Sequence, residues 1–195
     1  MESFEKKLAR VLAERIELAD YDPAWPERFE AEAARLCRYF PQGCTHRIEH
    51  IGSTAVPGLA AKPIVDILIG VENFGPVVQD VAPAMEAAGY DYFLRPEFGD
   101  DGPRYPWFIG RGSCGTRTAH IHVTLIDDQP KWDRVLFRDY LRRYQEAASS
   151  YAALKRDLVQ RFPDDRAAYT LGKTAFIQKI LTLARAEEAL KNASA

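Results

Sequence analysis

The segment from Ile64 to Val71 constrains the fold most strongly, because it places one carboxylate inside an otherwise apolar run. It reads Ile-Val-Asp-Ile-Leu-Ile-Gly-Val, and its acid is Asp66. A short apolar run that follows turn residues is typical of a deeply buried strand. A carboxylate in such a strand is costly to bury unless a partner compensates its charge. The segment therefore predicts a central strand and requires a partner for Asp66.

Two kinds of partner are open for Asp66. Either the carboxylate binds a metal ion or the metal complex of a phosphate, or it is a structural acid bonded to backbone amides or to a core arginine. The loop that precedes the strand contains Gly52 and Ser53. Glycine allows a ligand to approach the backbone closely, and serine offers a hydroxyl and an amide to a phosphate. The same dipeptide is equally compatible with a tight turn that binds nothing.

A pair of histidines stands in the predicted strand from Thr118 to Ile126. Side chains alternate along a strand, so His120 and His122 lie on the same face. That geometry suits metal ligation or contact with an anionic substrate. A complete metal site needs a further ligand, for which Asp66 and Glu49 are the candidates. Alternatively, one histidine faces the core and is held by a hydrogen bond, and Glu49 is solvated.

The predicted C-terminal helix carries a lysine on its apolar stripe. Tyr169, Ile177 and Leu181 define the stripe, and Lys173 follows Tyr169 by one turn. Lys173 either extends past the rim of the core or points into a cleft, where it would neutralise a phosphate. Other basic residues near the strands or on helices, each equally typical of a protein surface, are Lys62, Arg104, Arg117 and Arg138.

Periodicity and turn residues predict strands and helices in an order typical of an α+β fold. The predicted strands are Thr45–Ile51, Ile64–Val71, Tyr90–Leu94, Tyr105–Ile109 and Thr118–Ile126, the last two forming a hairpin, with a weak further signal at 16–20. The predicted helices cover the segment up to about 14, then 26–39, 75–88 and about 132–190, the last broken near 147–150 and at 162–164. We expect one domain over residues 1–195: a mixed sheet with packed helices, an N-terminal extension of about residues 1–14 and a helical C-terminal third of about 131–190.

Composition argues against several classes of protein. The 195 residues carry a net charge of -2, which gives no support for nucleic-acid or membrane-surface binding. Three cysteines without a Cys-x-x-Cys pair indicate neither a disulfide framework nor a cysteine zinc site, and we expect reduced thiols in a cytoplasmic protein. The sequence predicts no signal peptide and no membrane-spanning stretch. It contains no P-loop motif.

One segment resembles the signature of a known family. Residues 49–59 read Glu-His-Ile-Gly-Ser-Thr-Ala-Val-Pro-Gly-Leu, and Lys62-Pro63 and Asp66-Ile67 follow. This pattern resembles that of the GrpB family, some members of which are fused to dephospho-coenzyme A kinase. Further segments that are similar to the family pattern are 21–26, 120–123, 137–141, 151–155, 162–166 and 169–177, so the resemblance extends from Ile16 to about Leu183.

The resemblance implies a nucleotidyltransferase-like fold of the polymerase-beta type. In that superfamily a Gly-Ser turn grips a triphosphate, two acids one residue apart on a strand bind magnesium, and a third acid stands on a neighbouring strand. The Gly52-Ser53 pair matches the turn, and Asp66 matches the first acid. The second acid falls at Leu68, which cannot bind metal, and the neighbouring strand offers two histidines in place of the third acid.

Two functions follow from these residues and the resemblance. In the first, the protein transfers a nucleotidyl group from a nucleoside triphosphate to a small molecule or a protein hydroxyl, with Asp66 and His122 as catalytic residues and Mg²⁺ or Mn²⁺ as cofactor. In the second, it binds a nucleotide or another phosphate-bearing metabolite without turnover, which the leucine at position 68 favours. The expected substrate-binding residues are Gly52, Ser53, Lys62, Arg117, Arg138, Tyr169 and Lys173, and the expected metal ligands are Asp66, Glu49, His120 and His122. The acceptor, the base preference and the oligomeric state stay open.

Overall fold

A computed structural model describes residues 4–13, 16–40, 45–95 and 104–193. Its strands are β1 (Thr45–Ile51), β2 (Val65–Val71), β3 (Asp91–Arg95), β4 (Tyr105–Arg111) and β5 (Arg117–Leu125). Its α-helices are α1 (Phe4–Ala13), α2 (Trp25–Leu36), α3 (Ala82–Ala87), α4 (Gln129–Arg143), α5 (Gln145–Arg161), α6 (Arg166–Leu171) and α7 (Thr174–Ala193). A 3₁₀ turn (Ser53–Ala55) follows β1, and a π-helical turn (Val77–Val81) precedes α3. Residues 95–102, whose Pro, Gly and paired Asp predict a loop, lie almost wholly outside the described residues.

The five strands form one mixed sheet in the order β1-β2-β5-β4-β3. Strands β2 and β5 are parallel neighbours, whereas the other pairs are antiparallel. The prediction of an α+β fold with a mixed sheet and a helical C-terminal part is confirmed, as is the hairpin of β4 and β5.

The segment 110–115 has the spacing Gly-x-Gly-x-x-Gly, but it links two antiparallel strands and so lacks the strand-to-helix context of a dinucleotide-binding turn. Within the described residues, no helix is both long and apolar enough to cross a membrane.

The central strand β2 presents two different faces to the helices. Val65, Ile67 and Ile69 pack with residues of α2 and α3 in the main hydrophobic core. Because side chains alternate, Asp66 and Leu68 point to the opposite face, where Leu68 packs against residues of α4. The C-terminal helices therefore cover the face of the sheet that carries Asp66.

The C-terminal helices differ from the predicted pattern at two points. The break predicted near 147–150 is wrong, because the chain is extended at Tyr144 and α5 continues through Ser149 and Ser150. Packing of Ala148, Tyr151 and Ala152 against the core outweighs the lower helix propensity of the two serines. A second break, which was not predicted, lies at Gly172 and Lys173 between α6 and α7.

The break predicted at 162–164 is confirmed. Helix α5 ends at Arg161, and the carboxylate of Asp165 caps α6 by accepting a hydrogen bond from the Ala168 N–H at 2.9 Å. The weak strand signal at 16–20 produces only an isolated bridge between Ala19 and Ala61. Gly172 allows α6 and α7 to meet close to α5, since a Cβ there would lie 2.4 Å from Leu158 Cδ2.

Helix α4 is anchored on strand β1 by a buried arginine. Arg138 Nη1 donates to Glu49 Oε2 at 2.6 Å and to the His50 carbonyl at 2.7 Å, and its Nε donates to Asp139 Oδ1 at 2.7 Å. Arg47 Nε also donates to Glu49, at 2.7 Å. Burial raises the pKa of the Glu49 carboxyl, but the hydrogen bonds from Arg138 and Arg47 outweigh it and hold that pKa below its usual value. Glu49 and Arg138 therefore join two elements of the fold.

The turn after β1 is built around a glycine. Gly52 has φ +72 and ψ -170, a region that is almost restricted to glycine. A Cβ at this position would lie 2.4 Å from Asp66 Oδ2. The missing side chain thus lets the turn pack directly against the carboxylate of β2.

We predict that Arg138→Ala lowers the free energy of unfolding by about 2–4 kcal/mol, because it removes a donor from the buried His50 carbonyl and leaves the Glu49 carboxylate with the exposed Arg47. Chemical denaturation measures the loss. The folded pKa of Glu49 is depressed, so its contribution is present above the ordinary carboxyl pKa and is lost as the pH falls through the folded value. The free energy of unfolding of the variant should therefore fall less on acidification than that of the original protein. A loss no larger than that of Arg143→Ala, an exposed change on the same helix, would contradict the anchoring role.

We also predict that Gly52→Ala destabilises the protein more than Gly58→Ala does. Both glycines have positive φ, +72 and +75, but a methyl group at Gly58 would meet open space. The positive φ costs each variant about 1–3 kcal/mol. The collision with Asp66 adds at least about 1 kcal/mol at Gly52 alone. Equal losses in urea unfolding would show that the close contact with Asp66 does not matter.

Candidate functional site

A cavity of about 580 Å³ lies on the Asp66 face of the sheet. The turn after β1 contributes Gly52, Ser53 and Thr54 to its lining, and the strands contribute Asp66, His120 and His122. Helices α4 to α7 and the breaks between them supply the opposite wall, which includes Arg134, Phe137, Tyr151, Lys155, Tyr169 and Lys173. The structure thus brings most of the predicted site residues to one cavity, from segments far apart in the chain.

Asp66 is paired with a histidine of the parallel strand. The two strands run side by side with Asp66 opposite His120, and His120 Nδ1 lies 3.1 Å from Asp66 Oδ1. Burial raises the pKa of the Asp66 carboxyl, but the hydrogen bond from His120 and the charges of His120, Lys62 and Arg134 outweigh it and lower that pKa. Burial dominates for His120 and lowers the pKa of its imidazole. The pair therefore joins a carboxylate whose pKa is lowered to an imidazole whose pKa is also lowered.

His122 is held by an aromatic neighbour. Its Nδ1 lies 3.2 Å from the Tyr105 hydroxyl, and the two rings are stacked with their centroids 5.9 Å apart. The two histidine rings are 6.5 Å apart between centroids, nearly perpendicular to each other. Both line the cavity, as the alternation along β5 predicts.

The predicted metal ligands do not come together as one set. Glu49 binds Arg138 and Arg47 and lines a different cavity. Leu68, at the position of the second acid, is fully buried with residues of α4. Across the described residues, no three His, Cys, Asp or Glu side chains are grouped in a way that could hold a metal ion. The residues present thus do not fit the two-metal arrangement that the resemblance implies.

A lysine that the sequence analysis missed contacts the glycine-serine turn. Lys155, on α5, is only 2% exposed. Its Nζ donates to Ser53 Oγ at 2.9 Å and also to the Ala60 carbonyl, and it lies 4.8 Å from the centre of the Tyr151 ring. Burial lowers the pKa of Lys155 to about 7, with further lowering from the charges of Lys173, Arg156 and Lys62. Helical spacing from Ala148 and Tyr151 would have placed Lys155 on the buried stripe of α5.

Two further lysines at the cavity wall have their ammonium groups near the ring of Tyr169. Lys173 Nζ is 4.5 Å and Lys62 Nζ is 6.0 Å from the centre of the Tyr169 ring. Burial lowers the pKa of Lys62 to about 8, helped by the charge of Lys173. Burial also lowers the pKa of Lys173 to about 8, although Asp66 opposes the shift. Of the two alternatives for Lys173, the structure supports the one in which the side chain lies at a cleft.

The cavity has an excess of positive charge. Among the described residues, its lining contains five basic side chains, Lys62, Arg134, Lys155, Lys173 and Arg185, and two carboxylates, Asp66 and Asp133. Arg185 is itself paired with Asp133. A concave, partly desolvated surface of one sign attracts ligands of the other sign. The arrangement is therefore suited to an anion.

Two of the predicted substrate-binding arginines lie outside this cavity. Arg138 joins α4 to β1, as described above. Arg117 begins β5 and lines a neighbouring cavity together with Lys62. The positions of both arginines follow from contacts between distant segments, which spacing along the chain does not reveal.

Comparisons with known proteins agree with this geometry. A family model described as GrpB protein matches residues 15–183. The chain is 40% identical over 172 residues to a UPF0157 protein of Pseudomonas aeruginosa, which covers 86% of this chain and 67% of that protein. It is also similar to the crystal structure of conserved protein GrpB from Enterococcus faecalis, with 39% identity and a TM-score of 0.75, covering 88% of this chain and 99% of that one.

A more distant relative carries an enzyme name. The dephospho-CoA kinase of Mycolicibacterium paratuberculosis is 29% identical over 180 residues, covering 81% of this chain but only 43% of that protein. This chain spans less than half of that relative's length, so the name describes a longer protein. The family model covers well over half of the chain, and the mixed sheet with its C-terminal helices matches the Enterococcus structure. The chain therefore belongs to the GrpB family.

Proposed function

We propose that the cavity binds a nucleotide or another phosphate-bearing metabolite through its lysines and the glycine-serine turn. The observation that carries this proposal is the contact between the buried Lys155 ammonium and Ser53 Oγ at the edge of an open cavity. A hydroxyl, an ammonium and the backbone of a glycine turn are groups that bind phosphate oxygens. Lys62 and Lys173 add two further cations at the same wall.

The size and composition of the cavity support a ligand larger than phosphate. Its volume of about 580 Å³ is within the range of pockets for small organic ligands. One part of the wall is apolar and aromatic, formed by Phe137, Tyr151, Ile177 and Leu181. A ligand with a phosphate at the turn could place a base or another organic group against these side chains.

The charges favour binding that does not require a divalent cation. In the part of the chain that the structure describes, Asp66 and Asp133 are the only carboxylates in the cavity lining, and Asp133 is paired with Arg185. Magnesium sites at phosphates generally need one or two carboxylates, with the substrate supplying further oxygens. In this cavity, Lys62, Lys155 and Lys173 are placed where they would balance the negative charge of a phosphate. We therefore favour a module that binds its ligand through the protein's own cations.

Nucleotidyl transfer is the second candidate function, and Asp66 is the observation that supports it. This carboxylate lines the cavity, its pKa is lowered, and its side chain is 30% exposed. Two experiments separate the candidates. Calorimetric titration with ATP in EDTA and then in excess Mg²⁺ shows whether binding needs metal, and pyrophosphate release with a pool of acceptors tests turnover. Binding in EDTA without any pyrophosphate supports the module, whereas metal-dependent binding with pyrophosphate release supports the transferase.

We predict that Lys155→Met weakens ATP binding in EDTA by about 10- to 100-fold, because a charge-assisted hydrogen bond contributes about 1.5–3 kcal/mol. Isothermal titration calorimetry measures the affinity. Lys179→Met is the matched control, since Lys179 is exposed on α7 and lies outside the cavity lining. If Lys155→Met impairs folding, Lys173→Met tests the same cavity from a half-buried position. Affinity equal to the control in both cavity variants would contradict the proposal.

We further predict that ATP binding weakens as the pH rises above about 7, with proton uptake on binding. An anion next to Lys155 raises the pKa of that ammonium, so the complex holds a proton that part of the free protein has already lost. The charged groups around Lys155 are Lys173, Arg156, Lys62 and Asp66. Calorimetry at pH 8 in two buffers with different ionisation enthalpies measures the uptake, which Lys155→Met should reduce. Proton release, or no change in the variant, would contradict this assignment.

A further inference from the structure

We propose that Lys173 is a nucleophilic amine that forms an imine with a carbonyl group of the bound ligand. This inference rests on the proposed function and specifies its substrate class. The expected ligand is a phosphorylated aldehyde or ketone, with its phosphate at Ser53 and Lys155 and its carbonyl carbon at the Lys173 nitrogen. The cavity would then hold the ligand through a reversible covalent bond as well as through charge.

The amine of Lys173 is not used to hold the fold together. Its Nζ lies 4.5 Å from the centre of the Tyr169 ring, and within the described residues it makes no hydrogen bond or ion pair. Lys155, in contrast, donates to Ser53 Oγ and to the Ala60 carbonyl. Lys173 is half-buried and lines the cavity, so its nitrogen is available to a ligand there.

The surroundings of Lys173 favour a neutral amine in part of the molecules. A second ammonium, that of Lys62, lies 6.0 Å from the centre of the same Tyr169 ring. Burial, together with the charge of Arg166, lowers the pKa of Lys173 to about 8. Lysine loses its proton under such conditions, whereas arginine keeps it. Desolvation and a neighbouring cation are the two features that make a lysine amine nucleophilic near neutral pH.

Asp66 is placed to stabilise the product. Its carboxylate lines the same cavity, and its charge has the largest electrostatic effect on Lys173, where it favours a positive nitrogen. A protonated imine carries that positive charge, whereas the free carbonyl group does not. For Lys62 the charge of Lys173 has a larger effect than that of Asp66, and it disfavours a positive nitrogen. Lys173 is therefore the better position for the imine.

The proposed step needs no oxidant or reductant. The lone pair of the neutral Lys173 amine forms a bond to the carbonyl carbon, and the electron pair of the C=O double bond moves to the oxygen. That oxygen takes one proton from the attacking nitrogen and a second from an acid, for which the Lys62 ammonium is the candidate. It then leaves as water while the nitrogen forms the C=N double bond. The net change converts an amine and a carbonyl into an imine and water, and hydrolysis reverses it.

Reductive trapping tests the imine directly. The probe is pyridoxal 5′-phosphate, which carries a phosphate and an aldehyde on an aromatic ring, and cyanoborohydride fixes the adduct by transferring hydride to the imine carbon. Peptide mass spectrometry compares the rate of labelling at Lys173 with that at Lys179, which is exposed on α7 and lies outside the cavity lining. We expect labelling of Lys173 to be at least about tenfold faster, or about 1.4 kcal/mol in activation free energy. Equal rates, or preferential labelling of Lys62 or Lys155, would overturn the inference.

Two analogues separate the phosphate from the carbonyl group. Pyridoxal lacks the phosphate and should lose most of the preference for Lys173 over Lys179. Pyridoxine 5′-phosphate lacks the aldehyde and should slow the labelling of Lys173, as should ATP. An equal preference with both aldehydes would overturn the inference, because the phosphate would then play no part in presenting the carbonyl group. Labelling of Lys173 that neither competitor slows would also overturn it.

A variant that keeps the charge assigns the adduct to one nitrogen. Lys173→Arg retains a cation but forms no imine, so the labelling of the intact protein by pyridoxal 5′-phosphate should fall to the level seen with pyridoxal. Lys179→Arg is the matched control and should leave the labelling unchanged. Thermal unfolding shows whether the variant folds, and Lys173→Met replaces it if it does not. Phosphate-dependent labelling that persists in a folded variant would overturn the inference.

The same compounds distinguish this inference from the proposed function. Calorimetry measures the binding of ATP and of pyridoxine 5′-phosphate, neither of which can form an imine. Binding of both compounds without trapping at Lys173 contradicts the inference alone. Absence of binding by both compounds contradicts the proposed function itself.

Discussion

The carboxylate of Asp66 is the charge around which this side of the molecule is arranged. It lies on a buried strand, accepts a hydrogen bond from His120, and packs against the turn at Gly52, where a side chain would not fit. Burial alone would raise its pKa, and the neighbouring donor and cations reverse that effect. The pairing of β2 with β5 places His120 beside this negative charge, and the turn after β1 leaves room for the carboxylate.

Positive charge in the cavity exceeds what Asp66 requires. Lys62, Lys155 and Lys173 all have lowered pKa values, because burial desolvates each ammonium, and the charge of Lys173 lowers the pKa of Lys62 and of Lys155 further. Such an arrangement is unfavourable in the free protein, and a bound anion relieves it. Binding sites commonly retain groups that would be replaced if stability alone were selected.

The elements could be predicted where the local pattern is strong. Strand β2 and the β4–β5 hairpin follow from apolar runs bounded by turn residues, and the break between α5 and α6 follows from the local sequence at 162–164. The breaks between the C-terminal helices were harder to predict, because tertiary packing decides them. At Gly172 the helix ends where a side chain would collide with Leu158 of another helix. Lys155 could have been found by the helical spacing that identified Lys173.

The sequence by itself determined the chemistry that is available: one acid in a buried strand, two histidines on one face of another strand, and a glycine-serine turn between strands. Only the tertiary structure decided which groups meet. Lys155 and Ser53 are 102 residues apart, and Arg138 and Glu49 are 89 apart, yet both pairs are within hydrogen-bond distance. Periodicity specifies the face of an element on which a side chain lies, but not which element packs against that face. The contacts of Lys155 and Arg138 depend on how the C-terminal helices pack against the sheet, and that packing is a property of the whole chain.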